Sequence, residues 1–470
     1  MISIQKESFW PIYKELDDTF NLVWDRSYEK LVNFSQTNDI PVHNWYYYQE
    51  GFSPELVETI LKTLEINEEK PVIFDPFAGS GTTLLVGKKL GMKSYGFEIN
   101  PFSEFMIEAK TSNYTAKELG IVEKFKVPKY STFEDVYAKY QLKIIKNLFD
   151  REQLEKIELL KNKIKLVKET KCRMLLNMVL LSILPSISNY RKGGNGLKRK
   201  RLIKNYDVNS EFELKKKIVC ENLKHTNGIE PKIINDSCLN MSNYKIPDVD
   251  ISFFSPPYAN CFDPFEVYKT ELWIGEFVTT YEELRKRRKT ALTSSLSANV
   301  QKTVDDLHKT ELLQKIIDYL SIQELWDKRI VNMLNIYFNE MYKVFQMLFN
   351  KTKKGGYCIV VVGNSAYGYR GRGDIYVFIF FGLVSVIGCY VLYAKQIDHV
   401  VILPAISIGL LSTAVLNLNN MRDIISDTKS NKITLFHSLV LRTKSTVRYI
   451  MLRIRKVLHH DCYAWCNDAA

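Results

Sequence analysis

Two short segments of the sequence carry the residue types most able to do chemistry, and each follows an apolar run. The first is Asp75-Pro76-Phe77-Ala78-Gly79-Ser80-Gly81-Thr82-Thr83, which lies between the run 72–74 and a helical pattern over 84–90. A glycine backbone can turn sharply and approach a ligand closely, and the amino end of a helix offers free N–H groups to polar ligand atoms. The spacing therefore predicts a strand, a ligand-binding loop and a helix, in that order.

The second segment is Ser255-Pro256-Pro257-Tyr258, which follows the apolar run 249–254. Two consecutive prolines fix the course of a turn and remove two backbone N–H donors. The pattern predicts a strand that ends in a rigid loop with a hydroxyl at one end and a phenol ring at the other.

Three ligands compete for the first segment. A Walker A loop needs GxxxxGK[ST], which is absent, and a dinucleotide fingerprint needs a third glycine where Leu84 stands. S-adenosylmethionine is the remaining candidate ligand, since its sulfonium cation suits a binding site lined by acidic and aromatic side chains. Glu98 ends the apolar run 93–97, and an acid at the end of the second strand is placed to bind ribose hydroxyls.

The first segment resembles motif I of the amino-group DNA methyltransferases, and Ser255-Pro256-Pro257-Tyr258 resembles their motif IV, [SDN]-PP-[YFW]. Ile233-Ile234-Asn235-Asp236-Ser237 is similar to motif III, whose acid contacts the cofactor adenine, and residues 43–53 are similar to motif X, which lines the methionine end. The resemblance covers about residues 40–368 and implies S-adenosylmethionine as the cofactor. It implies cofactor binding by Asp75, Pro76, Phe77, Gly79, Ser80, Gly81, Thr82, Glu98 and Asp236.

The resemblance also implies how the target base is treated. The lone pair of an exocyclic base amine is delocalised into the ring, so this amine is a poor nucleophile. Acceptors aimed at its two N–H groups, Ser255 Oγ and the Pro256 carbonyl, would favour a pyramidal nitrogen, while Tyr258 stacks on a base flipped out of the duplex. The expected catalytic residues are Ser255, Pro256, Pro257 and Tyr258, with no metal and no covalent enzyme–base intermediate.

The target stays open at this point. Serine at the head of the tetrapeptide favours cytosine N4 over adenine N6 within the family. An adenine-N6 DNA methyltransferase, an RNA methyltransferase using the same two motifs and an inactive DNA-binding chimera are the alternatives. The oligomeric state is not indicated by any pattern.

A basic segment lies in the large insert over about residues 102–230, which is the candidate DNA-recognition region. Residues 191–201 hold six cations, no acid and three glycines, a pattern that predicts a flexible loop. The loop would contact the DNA backbone, with a solvated basic loop as the alternative. The predicted DNA contacts are Arg191, Lys192, Lys198, Arg199, Lys200 and Arg201. A second cluster, 285–289, falls on a helical stretch.

These segments need a framework of strands and helices to position them. The resemblance and the alternation of apolar runs with charged helical stretches predict an α/β Rossmann-like domain over 1–368, with a mostly parallel sheet and a large helical insert. The 470-residue chain carries a formal net charge of +12, which favours a polyanionic partner. Eight cysteines are too few for a disulfide framework, and the amino end lacks a signal-peptide pattern, so we expect a cytoplasmic protein.

The remainder of the chain differs in character. Residues 376–394 and 399–421 are apolar runs long enough to span a membrane as a helical hairpin, with possible membrane association through 376–421. Residues 369–434 resemble a fragment of the dihydroxynaphthoate-type membrane prenyltransferases, carried by the NxxRDxxxD pattern that ends at Asp423 and Asp427. The partner motif of that family is missing, so we expect no metal site there. The abrupt junction and the unpatterned tail 435–470 favour a chimera or assembly artefact over a natural fusion.

Overall fold

A computed structural model gives the fold. It describes residues 31–32, 39–48, 50–66, 68–193, 196–201, 206–223, 227–259, 263–301, 310–362 and 450–453, together with Tyr28 and Thr37. The chain divides into two compact units, one holding 1–21, 31–361 and 450–470, the other holding 22–30 and 362–449. The helices and strands given below belong to the first unit.

In the part of the chain that the structure describes, eight strands form two sheets. They are β1 (Val72–Asp75), β2 (Lys93–Phe97), β3 (Tyr190–Gly193), β4 (Gly196–Arg199), β5 (Lys232–Ile234), β6 (Val249–Phe254), β7 (Thr352–Val360) and β8 (Ile450–Arg453). Six of them build a central sheet in the order β5-β2-β1-β6-β7-β8, and β3 pairs with β4 alone. Neighbours in the central sheet run parallel, except that β8 is antiparallel to β7. The predicted α/β class with a mostly parallel sheet is confirmed.

Helices cover this sheet and form the insert. They are α1 (Pro54–Thr63), α2 (Thr82–Lys89), α3 (Pro101–Thr111), α4 (Ala116–Lys124), α5 (Ile145–Leu148), α6 (Arg151–Lys165), α7 (Thr170–Ile187), α8 (Val208–Asn222), α9 (Pro264–Val267), α10 (Lys269–Ile274), α11 (Tyr281–Thr290), α12 (Glu311–Ser321) and α13 (Arg329–Lys351). Short 3₁₀ turns occupy His43–Trp45 and Cys238–Asn243.

The two strands that precede the chemical segments lie in the middle of the sheet. Every residue of β1 and of β6 is buried, as is usual for parallel strands covered on both faces. Their pairing brings Ile73 opposite Ile251 and Phe74 opposite Ser252. The loops that follow β1 and β6 therefore leave the sheet side by side, at the edge where ligands of open α/β sheets bind.

The insert is helical as expected, but its basic segment is not a flexible loop. Tyr190–Gly193 and Gly196–Arg199 form the antiparallel pair of β3 and β4, called the basic hairpin below, in which Arg191 lies opposite Lys198 and Lys192 opposite Leu197. Composition concealed this, because glycine and lysine are unfavourable in strands. The hairpin is held instead by ladder pairing, by packing of Tyr190 and Leu197 against the core, and by contacts of Lys192 and the adjoining Lys200, which are described below.

One described helix, α7, is long and apolar enough to cross a membrane. Its side chains Cys172, Leu175, Leu176 and Leu184 are fully buried against other parts of the insert, so packing accounts for its composition. The apolar hairpin predicted over 376–421 and the prenyltransferase-like segment 369–434 lie outside the described residues, as does all of the tail 435–470 except 450–453.

Candidate functional site

The loop after β1 is built by two glycines in the left-handed region. Gly79 has φ +53° and Gly81 has φ +78°, where other residues are strained. The loop is closed by the Gly81 N–H, which donates to the Ala78 carbonyl at 2.7 Å, and is tied to β2 by the Ala78 N–H, which donates to the Phe97 carbonyl at 2.9 Å. Gly81 is also the N-cap of α2 and offers no side-chain cap. The amino end of α2 is therefore open to a ligand.

Glu98, at the end of β2, is joined directly to this loop. Its Oε2 accepts the Gly79 N–H at 2.7 Å and its Oε1 accepts the Asn100 N–H at 2.8 Å. Burial raises the pKa of Glu98 to about 7, although both hydrogen bonds act in the opposite direction. Burial likewise raises the pKa of Asp75 to about 7. Each carboxylate oxygen of Glu98 keeps a further lone pair, so hydroxyl donors of a ligand can still bind there.

Asp236 follows β5, the neighbour of β2. Its carboxylate accepts hydrogen bonds from the Ser237 N–H, Asn240 Nδ2 and the Tyr244 hydroxyl, at 2.7, 3.0 and 2.8 Å. Asn235 Nδ2 donates to the Glu98 carbonyl at 2.9 Å. The predicted motif III acid therefore stands next to the Glu98 segment, with its carboxylate held by its own turn. Its contact with the cofactor adenine stays a prediction.

The Ser255–Tyr258 loop continues β6 and is held by two neighbouring elements. The Val361 N–H donates to the Phe254 carbonyl at 2.8 Å, and the Tyr337 hydroxyl of α13 donates to the Pro257 carbonyl at 2.8 Å. Ser255 Oγ and the Tyr258 hydroxyl lie 3.4 Å apart. Ser255, Pro257 and Tyr258 are half-buried, so this loop is partly exposed to solvent.

The two loops are connected across the sheet. Thr83 Oγ1, one residue into α2, donates to the Phe253 carbonyl of β6 at 3.2 Å. The rings of Phe77 and Phe254 lie 5.7 Å apart, centroid to centroid. The structure thus brings the predicted cofactor loop and the predicted base-binding loop into one site.

Two stacked tyrosines, Tyr48 and Tyr268, border the glycine loop and are called the aromatic wall below. The motifs predicted only one of them. The Tyr48 ring would lie 3.4 Å from a Cβ placed on Gly79. Tyr48 stacks on Tyr268, with centroids 4.9 Å apart and planes within 9°, and the Tyr268 hydroxyl donates to Glu50 at 2.7 Å. Tyr48 and Glu50 belong to the segment 43–53 that resembles motif X. Tyr268 and Tyr337 were missed, because a lone tyrosine on a helix is indistinguishable from core packing in sequence.

The predicted DNA-binding residues fall into two groups. Arg191, Lys198, Arg199 and Arg201 are exposed. Lys192 instead points inward, where its ammonium lies 2.9 Å from Glu271 Oε1. Lys200 is half-buried and its Nζ donates to the Pro185 and Ser186 carbonyls at 3.0 and 2.8 Å. The placement of Lys192 and Lys200 does not favour contact with DNA phosphates, since both ammonium groups already bind within the chain.

The second basic cluster divides in the same way. Arg288 pairs with Asp263 and with Glu266, at 2.8 and 3.0 Å, and so holds α11 against the start of α9. Arg285, Lys286 and Lys289 are exposed on the same helix. In the described part of the chain, no group of three or more His, Cys, Asp or Glu side chains is arranged to hold a metal ion.

Comparison with known proteins agrees with this arrangement. A family model described as DNA methylase (N6/N4) matches residues 3–108. The Type II methyltransferase M.BsoBI of Geobacillus stearothermophilus is 28% identical over 75% of this chain and 78% of its own length. The Type II methyltransferase M.AvaI of Nostoc is 27% identical over 72% of this chain and 77% of its own length.

A separate match covers a short part of the chain. The 1,4-dihydroxy-2-naphthoate octaprenyltransferase of Haemophilus influenzae is 57% identical over 74 residues, which are 16% of this chain and 24% of that enzyme. The matched part spans about a quarter of the prenyltransferase. Both resemblances inferred from the motifs are confirmed by these matches.

Proposed function

We propose that this chain, a relative of the amino-group DNA methyltransferases of Type II restriction–modification systems, transfers a methyl group from S-adenosylmethionine to cytosine N4 in DNA. The observation that carries the proposal is the pairing of β1 with β6, which sets the glycine loop beside Ser255-Pro256-Pro257-Tyr258 and is reinforced by the bond from Thr83 to the Phe253 carbonyl. A methyl donor in the first loop and a base in the second would lie next to each other.

The residues around the glycine loop fit S-adenosylmethionine. Asn100 Nδ2 is a buried donor without a hydrogen-bond partner among the described residues, and it belongs to the residue whose N–H binds Glu98. A hydroxyl or carboxylate oxygen of a ligand would accept a hydrogen bond from such a donor. The cofactor, when bound, supplies a methyl group on a cationic sulfur. Glu98 would accept its ribose hydroxyls, and the segment 75–82 would enclose its methionine part, with Asp236 near the adenine.

The second loop would prepare the base. Ser255 Oγ and the Pro256 carbonyl would accept hydrogen bonds from the exocyclic amine, which localises its lone pair for attack on the methyl group. Tyr258 would stack on the flipped ring. Tyr337 fixes the Pro257 carbonyl, so the turn presents its acceptors in one orientation. Serine at position 255 supports cytosine over adenine as the target.

The exposed cations would supply DNA affinity. Arg191, Lys198, Arg199 and Arg201 of the hairpin region, with Arg285, Lys286 and Lys289 of α11, have no carboxylate partner among the described residues. Contacts of this kind with phosphates bind DNA of any sequence and weaken as salt rises. We place this activity in the cytoplasm and in residues 1–368.

Transfer of a labelled methyl group to unmethylated DNA by the full-length chain, followed by nucleoside analysis, tests the proposal. N4-methylcytosine is the expected product, and Ser255→Ala serves as the matched control with retained binding of S-adenosylhomocysteine. N6-methyladenine would overturn the choice of base, and preferential labelling of RNA in competition would overturn the choice of DNA. Cofactor binding without any transfer by the wild type would identify an inactive chimera.

A further inference from the structure

Lys192 differs from every other cation of the basic hairpin in its surroundings. Its ammonium lies 2.9 Å from Glu271 Oε1 of α10 and is hydrogen-bonded to the Tyr46 hydroxyl. The same nitrogen lies 4.4 Å from the ring centroid of Tyr46 and 4.1 Å from that of Tyr268. These distances are within the range of cation–π attraction. The residues Tyr46, Tyr268 and Glu271 are called the Lys192 cage below.

The residues of the cage are also held by contacts with one another and by burial. The Tyr46 hydroxyl donates to Glu271 Oε1 at 2.6 Å, and Tyr46, Tyr268 and Glu271 are each at most 1% exposed. The cage joins three separate parts of the chain: the segment before β1, the hairpin and α10. A charge enclosed in this way cannot return to water without breaking the ion pair and exposing its partners, so the hairpin is held at this point.

The inward direction of the Lys192 side chain fixes where its neighbours in the strand point. Successive side chains of a strand project to opposite faces, so Arg191 faces away from the cage. Lys198 lies opposite Arg191 in the ladder and therefore shares its face. Both side chains are exposed. The inward Lys192 thus turns a pair of cations outward from the surface of the insert.

The cage also reaches toward the glycine loop. Tyr268 stacks on Tyr48 at 4.9 Å, and Tyr48 packs on Gly79. The hairpin therefore contacts the same aromatic residues that border the predicted cofactor loop. Its position is fixed relative to the candidate site as well as to the insert.

We propose that Lys192 is a positioning residue, which locks the basic hairpin onto the core through the Lys192 cage so that Arg191 and Lys198 contact DNA phosphates beside the site. This inference rests on the proposed function for its DNA partner. In this proposal Lys192 itself makes no phosphate contact and differs in this from the role predicted for it from the sequence.

The test compares Lys192→Met with Lys198→Met, since each removes one cation from the hairpin. Log affinity falls as log salt rises, and each lost phosphate contact reduces the magnitude of this slope by about 0.9. Lys198→Met should lower the slope by about one. Lys192→Met should lower it by about two, because Arg191 and Lys198 both lose their position, and should weaken DNA binding by about tenfold or more at moderate salt.

A second substitution separates positioning from direct contact. Lys192→Met/Glu271→Gln leaves no charge unpaired in the cage, so the hairpin should dock again and DNA affinity should recover, although the cation at 192 is still missing. Hydrogen exchange of the amides at 190–199 should be faster in Lys192→Met and near the wild-type rate in the double variant. Unchanged affinity for S-adenosylhomocysteine verifies that each variant is folded.

Equal salt slopes for Lys192→Met and Lys198→Met, with no recovery in the double variant, would show that Lys192 is a direct contact and overturn the inference. Unchanged hairpin exchange in Lys192→Met would overturn it as well. If the wild type binds no DNA, the proposed function fails, and the exchange rates still decide whether Lys192 anchors the hairpin.

Discussion

Gly81→Ala tests the glycine loop most directly, because two separable effects oppose a side chain there. The φ of Gly81 is +78°, and a Cβ at this position would lie 2.7 Å from Ile107 Cγ1 of α3. A non-glycine residue in the left-handed region costs about 1–2 kcal/mol. Forcing a methyl group into a packed contact costs about 1–3 kcal/mol more. The expected loss in free energy of unfolding is therefore about 2–5 kcal/mol.

Gly91→Ala is the matched control. Gly91 has φ +72°, but a Cβ there meets no atom within 4 Å, so only the backbone cost of about 1–2 kcal/mol applies. Urea unfolding of both variants, compared at equal m values, gives the two losses. The difference between them isolates the Ile107 contact. Gly81→Ala should also weaken S-adenosylhomocysteine binding, because relief of the contact moves the amino end of α2, whereas Gly91→Ala should leave binding near wild type.

The double variant Gly81→Ala/Ile107→Ala refines the comparison. Removal of both Ile107 branches leaves space for the new methyl group. The loss in free energy of unfolding of the double variant should therefore be smaller than the sum of the losses of the two single variants. Losses of equal size in Gly81→Ala and Gly91→Ala, or strict additivity in the double variant, would refute the close packing of α3 against the loop.

Three further outcomes are expected. Ser255→Ala should lower methyl transfer by about 100-fold or more, because one acceptor for the N–H groups of the base amine is lost. Calorimetry should show S-adenosylhomocysteine binding within about twofold of wild type. Turnover equal to wild type would show that Ser255 does not act in the site. Tyr337→Phe should lower turnover about fivefold, since the hydrogen bond to the Pro257 carbonyl contributes about 1 kcal/mol, and a rate equal to wild type would show that this bond does not hold the turn. The proposed binding of ribose hydroxyls requires the ionised form of Glu98, whose pKa is raised to about 7 by burial. S-adenosylhomocysteine affinity should therefore rise about tenfold between about pH 6 and pH 8 and should be independent of pH in Glu98→Gln. A rise that persists in that variant would assign the titration to another group.

The sequence predicts the parts of this site that depend on backbone geometry. The strands 72–74, 93–97 and 249–254 were located within a residue of β1, β2 and β6, because buried parallel strands are short apolar runs bounded by turn residues. The helix after the glycine loop was predicted over 84–90 and is found at Thr82–Lys89. Helix ends are set by capping contacts that a periodic pattern does not record.

Contacts between side chains that lie far apart in the sequence could not be predicted from it. Lys192 and Lys198 look alike in the basic segment, yet Lys192 is half-buried and paired with Glu271, 79 residues further along the chain, whereas Lys198 is exposed. Composition assigns both to a charged surface, since lysine is seldom buried unless it is paired. The pairing partner lies on α10, beyond β6, and only the fold brings it near.

The division between sheet and insert has a consequence for how the activity can vary. The glycine loop and the Ser255–Tyr258 loop both emerge from fully buried strands, so their separation is fixed by the core and by the bond from Thr83 to the Phe253 carbonyl. The exposed cations of the hairpin lie on an added element, and the Lys192 cage is one of the contacts that hold this element to the core. Substitutions at Arg191 or Lys198 should therefore change DNA affinity and its salt dependence while leaving the rate of methyl transfer at saturating DNA unaltered. Substitutions at the cage should change both affinity and the geometry of approach, because they act where the added element meets the aromatic wall of the site.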